Sequence, residues 1–149
     1  MTKWIRFNYK QDTSLFGKLA GDSVDEYEGD LFEHPKPTGR NIPLNDVQLQ
    51  APLEPHSIFA LWNNFHERAK KEEQTIPDVP LYFMKPLTSV IGPEQTIYRP
   101  RGHQGRVIFE AELGIVIGSK CREVSESEAA EHIFGYTCVN DVTAVEFLF

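Results

Sequence analysis

The chain has little cysteine, no excess of basic charge and no long apolar run, and each shortage removes a class of function. Its 149 residues hold two cysteines, Cys121 and Cys138, too far apart for the CxxC spacing of a zinc or redox site. Free cysteine is among the residue types most often buried, so both are read as core or near-core thiols, and a reducing compartment argues against a disulfide between them. Fifteen Lys and Arg stand against 22 Asp and Glu, a net charge of −7, with the two signs interspersed. That balance gives no electrostatic footprint for a phosphate backbone or an anionic membrane surface, so neither nucleic acid nor membrane is expected as a partner. The opening MTKWIRFNYK lacks the apolar core of a secretory signal, and no later run approaches membrane-spanning length, which points to a cytoplasmic protein. Internal repeats and low-complexity tracts are absent.

What is present describes one globular domain, or one domain with a small appendage: 40% hydrophobic and 25% charged residues are ordinary values that exclude disorder as the main state. From Trp4 to about Phe32, short β-like runs alternate with turn signals at Gly17, Gly21, Asp22, Gly29 and Asp30, the pattern of a meander of small strands. EHPKPTGRNIPLND carries three prolines and little apolar content, which predicts a linker over residues 33–46. Residues 1–46 thus read as a small β unit with its linker, and a second unit, residues 47–149, opens with VQLQAPL.

In the second unit SIFALWNNF reads as a buried strand, HERAKKEEQ as a polar helix, and LYFMKPLTSVIG as strand and turn. RVIFEAELGIVIG, rich in β-branched residues, predicts a longer strand from Arg106 to Gly118. Ser125 with Glu128 is a capping-box pair, so a short helix should run through AAEHI and end near Gly135. GYTCVNDVTAVEFLF reads as a strand that passes into a loop or helix start at Asn140-Asp141. The final VEFLF is an apolar run with no polar tail, an ending expected for a chain cut inside a fold.

The sharpest chemical signal is Glu110-Ala-Glu112 inside the long strand. Alternation puts Glu110 and Glu112 on one face, roughly 6.5–7 Å apart along the chain, with Phe109, Ala111, Leu113, Ile115 and Ile117 on the other. Two carboxylates side by side repel and are costly to desolvate, and a hard divalent cation with its preference for oxygen ligands would relieve both costs. The alternative is a face that is simply wet, as one face of an antiparallel sheet often is. Asp141 has the same two readings, a third ligand or the cap of a following helix.

The ordered series FMKPLTSVIGP, FEAELGIVIG and HIFGYTCVNDVTA resembles the core pattern of the fumarylacetoacetate hydrolase family, including its acylpyruvase and oxo-diacid decarboxylase or isomerase relatives. The resemblance covers most of residues 47–145, and the Glu-x-Glu followed by Gly-Tyr-x-x-x-Asn-Asp is specific in combination. LQAPLEPHSIFALWNNF is similar to that family's opening strand, and the preceding β unit resembles an N-terminal domain that many members carry. What the resemblance implies is a mostly β, mixed roll with short helices, truncated here and preceded by the small β domain. It further implies Mg²⁺ or Mn²⁺ held by Glu110, Glu112 and Asp141, a small 2-oxo or 1,3-dicarbonyl acid as substrate, and a homodimer when full length. A cation so held would polarise the substrate and stabilise an enolate, chemistry that serves hydrolysis, decarboxylation or isomerisation.

The sequence departs from the family pattern in three places. Where many members have a water-activating His with a Glu three residues on, NNFHERAKK aligns Arg68 and Lys71; His66 with Glu67, Glu72 or Glu73 is the available substitute, against the plainer reading of an exposed charged helix. Where the family often has Arg after Asn-Asp, Val145 stands here, followed by Glu146. These losses point toward a decarboxylase or isomerase subfamily. A lysine that members carry after the metal-binding Asp would lie beyond Phe149. Lys85 in FMKP matches the pattern and is a candidate catalytic cation beside His66, or else the partner of a nearby carboxylate. His103, in RPRGHQGR, is a candidate for a loop that closes over substrate, although a solvent-exposed loop histidine is the commoner case. His34, His56 and His132 have no partner pattern. Two readings of function follow: a divalent-metal-dependent hydrolase or lyase, or a metal-binding or interaction fragment without turnover.

Overall fold

The computed structural model of the chain describes residues 2–147, so the apolar ending VEFLF leaves the described residues at Leu148. The protein is mostly β with a few short helices. The first sheet contains β1 (Trp4–Tyr9), β2 (Asp12–Ala20), β3 (Ser23–Glu28), β4 (Lys36–Pro43) and β5 (Gln48–Leu49), in the spatial order β4-β3-β2-β1-β5 and antiparallel throughout. Its core is small: Phe7, Val24 and Ile42 are buried, with Ile5, Tyr9, Leu15, Leu44 and Val47 packed against them.

Two expectations change here. The predicted linker over 33–46 contains β4, because Pro37 and Pro43 sit on the outer strand of the sheet, where a missing N–H costs no ladder bond on the open side. VQLQAPL, expected to open the second unit, instead completes the first: Gln48 and Leu49 pair with β1, Val47 joins the core, and the Gln50 N–H donates to the Arg6 carbonyl at 2.9 Å.

Beyond residue 50, β6 (Ile58–Trp62) pairs with β7 (Leu81–Lys85), and α1 (His66–Lys71) lies in the connection between them with Ala69 buried beneath it. β8 (Val107–Ile117) and β9 (Ile133–Ala144) form the longest ladder. Their connection carries α2 (Glu126–Ala129), which starts on the expected capping box: the Ser125 Oγ accepts from the Glu128 N–H at 3.3 Å and the Glu128 carboxylate accepts from the Ser125 N–H at 2.8 Å. A single 3₁₀ turn, Ala130–His132, then leads into β9. Phe32 meets Phe134 edge-on at 4.9 Å between ring centroids, joining the end of the first sheet to β9.

The strand SIFALW forms as predicted but is not buried: Phe59, Leu61 and Trp62 of β6, with Tyr82 and Met84 of β7, are exposed, and among the described residues no layer covers the face of the ribbon that carries Phe59, Leu61, Tyr82 and Met84. Cys121 and Cys138 are likewise exposed rather than core thiols. Cys138 projects from the face of β9 shared with Leu113 and Tyr136, which is also uncovered. Nor does a helix start at Asn140-Asp141, since β9 continues through both residues to Ala144.

Phe7 supplies the largest buried side chain of the first sheet. Phe7→Ala should lower stability by about 3–5 kcal/mol, measured as the shift in a urea unfolding curve followed by tryptophan fluorescence.

Candidate functional site

In the β8–β9 ladder Glu110 stands directly opposite Asp141, and Glu112 opposite Val139. Residues opposed in an antiparallel pair project from the same face, so all three carboxylates share one face of the ribbon. Gly114 and Thr137 continue that face, and a Cβ at Gly114 would come within 2.9 Å of the Thr137 methyl and 3.0 Å of a Val139 methyl, so glycine lets these side chains lean across the ladder. The acidic face is the more covered one, with the Glu110 side chain 29% and the Asp141 side chain 20% exposed, whereas Phe109 on the reverse face is 79% exposed. This excludes the simple case of an acidic pair facing bulk water over an apolar core.

Like charges directly opposed across a ladder destabilise it, and each of the two is met by its own cation. From β7, the Lys85 Nζ donates to Asp141 Oδ1 at 2.6 Å, with both side chains about three-quarters or more covered. From α1, the Arg68 Nη1 donates to Glu110 Oε1 at 2.6 Å, and its Nε donates to Glu72 Oε1 at 2.9 Å, one turn further along the same helix. The hydrogen bond to Glu110, then that to Glu72, raises the Arg68 pKa above its ordinary value. Glu112 takes no side-chain hydrogen bond among the described residues.

His66 sits on the same helix but is exposed and lines a separate recess of about 150 Å³ with Trp62, Asn63 and Asp78. Lys85 therefore joins the carboxylates and His66 does not. Arg68, noted in the sequence only as a departure, is the group that reaches Glu110. Sequence signalled it by its alignment with a functional position, but not that it would bridge two acids. Among the described residues no group of three or more His, Cys, Asp or Glu side chains is drawn together as a metal cage, because two of the three carboxylates are turned to Lys85 and Arg68. The donor set nevertheless fits a hard divalent cation: three carboxylates on one half-covered face, already requiring positive charge.

His103 is not a solvent-exposed loop residue; it is 5% exposed. Its Nε2 lies 3.2 Å from the Arg106 carbonyl oxygen and 3.4 Å from Glu146 Oε2, and its ring packs against Phe147 at 4.8 Å. Glu146 Oε1 also accepts the Arg106 N–H at 3.0 Å, and Arg99 donates to the Gly105 carbonyl at 2.6 Å. Gly105 lies directly against the Glu146 carboxylate, which a Cβ at this position would have to displace. The Glu146 that stands just past the position of the family's arginine thus fastens the RPRGHQGR loop to the end of β9.

A model of the fumarylacetoacetate hydrolase C-terminal domain matches residues 57–149, and an Rv2993c-like N-terminal model matches residues 2–52. The chain is 32% identical over 139 residues to a caffeoylpyruvate hydrolase of Neonothopanus nambi, which covers 85% of this chain and 47% of that protein. The crystal structure of 2-hydroxyhepta-2,4-diene-1,7-dioate isomerase from Mycobacterium marinum is similar with a TM-score of 0.84 and 32% identity, over 98% of this chain and 56% of that one. Maleylpyruvate hydrolase from Sphingobium sp. SYK-6, solved with manganese(II) and pyruvate, shares the fold with a TM-score of 0.74 at 23% identity, over 96% and 59% of the two chains. The chain spans about half the length of the curated relatives it matches.

Glu146 generates a prediction. Its pKa lies below the ordinary carboxylate value, first because of the Arg106 N–H and next because of its own backbone N–H. A depressed folded pKa contributes stability that is present above the unfolded value, 4.5, and is lost as pH falls through the lower folded value. The Arg106 amide resonance should therefore move upfield in an acid titration with a midpoint below 4.5, and Glu146→Gln should abolish that titration while leaving the rest of the spectrum in place.

Proposed function

The chain belongs to the fumarylacetoacetate hydrolase family, and from that premise we propose that Glu110, Glu112 and Asp141 hold a divalent cation, Mg²⁺ or Mn²⁺, in an enzyme that isomerises or decarboxylates small 2-oxo or 1,3-dicarbonyl acids. Relatives in the family act on small oxo acids as hydrolases, isomerases and tautomerases. The observation that supports the reading is the register of Glu110 opposite Asp141, which puts carboxylates of two strands on one face. When bound, the cation supplies Lewis-acid polarisation of the substrate carbonyl and so favours the enolate.

The chain's own residues narrow the reaction. Breaking a C–C bond by hydrolysis needs a base that takes a proton from water, within hydrogen-bond reach of it. Arg68 stands on the helix face toward Glu110, and a guanidinium has five donors and no acceptor, so it cannot take that proton. His66 is exposed and hydrogen-bonded to none of the three acids. Decarboxylation needs charge stabilisation rather than an activated water, since the electron pair of the breaking bond passes to the enolate as CO₂ leaves, and it suits this set of groups. Enolisation needs in addition an acceptor for the α-proton, which neither Arg68 nor Lys85 in its charged form provides. Lys85 orients Asp141 in the absence of a cation, and once released from it would pair with a substrate carboxylate. We place the activity in the cytoplasm.

A second reading is favoured by the ion pairs that occupy Glu110 and Asp141: the chain binds a cation on this face without turning substrate over. Enol–keto conversion and decarboxylation of oxaloacetate with Mn²⁺, followed by absorbance for the wild type, Glu110→Gln and Asp141→Asn, separate the two. The first reading expects a Mn²⁺-dependent rate that falls by roughly a hundredfold or more in either variant. Mn²⁺ binding with no rate in any of the three supports the second, and a wild-type chain that binds no Mn²⁺ sinks both.

A further inference from the structure

The two cations that pair with the opposed carboxylates are not equivalent. Lys85 is largely covered and pairs with Asp141 alone. Arg68 is half-exposed, stands on a helix of six residues, and divides its guanidinium between Glu110 and Glu72. Because Glu72 lies four residues on, at the C-cap of the same helix, Arg68 keeps a charged partner at 2.9 Å if it lets go of Glu110. Releasing Glu110 therefore costs one exposed ion pair, not the isolation of a charge.

Resting on the cation site proposed above, we propose that Arg68 is a tethered counter-ion that competes with the divalent cation for Glu110 and retires onto Glu72 when the cation binds. Arg68 and Lys85 offset the two opposed carboxylates, so the ladder tolerates them with no ion present, while Glu112 keeps its charge uncompensated. The same offset weakens the site for its cation, since each arriving charge must displace one already there. A guanidinium stays protonated at all physiological pH values, so the competition does not fade near neutrality as it would with a histidine in this position. Lys71, exposed on the same helix and unpaired among the described residues, adds positive charge nearby without contacting the acids.

The test is Mn²⁺ binding to the intact chain, read from the electron paramagnetic resonance signal of free Mn²⁺, for Arg68→Gln, Glu72→Gln, Lys71→Gln and Glu110→Gln. Removing the competitor should tighten binding by about three- to tenfold, the range that one exposed ion pair supports. Glu72→Gln, which leaves Arg68 with Glu110 as its sole partner, should weaken it by about two- to threefold. Lys71→Gln should tighten it by less than half as much as Arg68→Gln. The proposal is overturned if Arg68→Gln binds no tighter than wild type, or if Lys71→Gln matches it, which would leave only a general effect of net charge. Should Arg68→Gln fail to fold, Glu72→Gln decides, and binding at or above the wild-type affinity overturns the idea. Glu110→Gln speaks to the underlying site instead: Mn²⁺ binding unchanged in that variant removes the site itself.

Discussion

The structure turns on a repulsion. Glu110 and Asp141 face each other across the longest ladder of the chain, on the covered side of the ribbon, where the field of one carboxylate on the other is least screened by water. Such a pair persists only with positive charge beside it. The sequence supplies that charge from two different elements, Lys85 at the end of β7 and Arg68 on α1, so meeting the repulsion also joins the β6–β7 ribbon and its helix to the β8–β9 ribbon. These ion pairs tie together parts that share little buried apolar surface: among the described residues, the buried core residues other than Ala69 all lie in the first sheet. The chemistry of the site and the cohesion of the second unit thus rest on the same four side chains.

Local signals in the sequence translated well. The run of β-branched residues around Glu-Ala-Glu became β8, HERAKK became α1, and the Ser125–Glu128 capping box formed with both of its hydrogen bonds. What escaped was set by partners distant in the chain. Alternation separates the face of Glu110 from that of Phe109, but it does not say which one is covered, and the covered face proved to be the acidic one. The same ignorance misplaced Cys138, a small hydrophobe on the uncovered side. β4 was hidden by its prolines, whose cost depends on being at a sheet edge, a property of strand order rather than of composition. His103 looked like a surface residue because its burial depends on Glu146 and Phe147, which reach it only after β9 has run its length.

The candidate site was legible in its anions and less so in its cations. Carboxylates at fixed spacing on a strand are readable because the strand itself sets their geometry. Long basic side chains are not, since Lys85 and Arg68 come from separate segments and the choice between substrate contact and ion pair is made by what lies within reach. In the structure each reaches an acid, which turns two isolated departures and matches in the sequence into one electrostatic unit.

That unit bears on which reaction the proposed site can support. A histidine facing Glu110 could exist as a neutral base or as a cation, and its proton would be available to water or substrate. Arg68 offers only the cation, so the exchange gives up proton transfer at that position and retains charge compensation. Hydrolysis of a carbon–carbon bond depends on the first property. Holding opposed carboxylates ready for a metal, and stabilising negative charge as it develops on an oxo acid, depends on the second. Arg68, a departure from the family pattern, is thus the residue that separates decarboxylation, which needs charge compensation alone, from hydrolysis, which needs a proton acceptor as well.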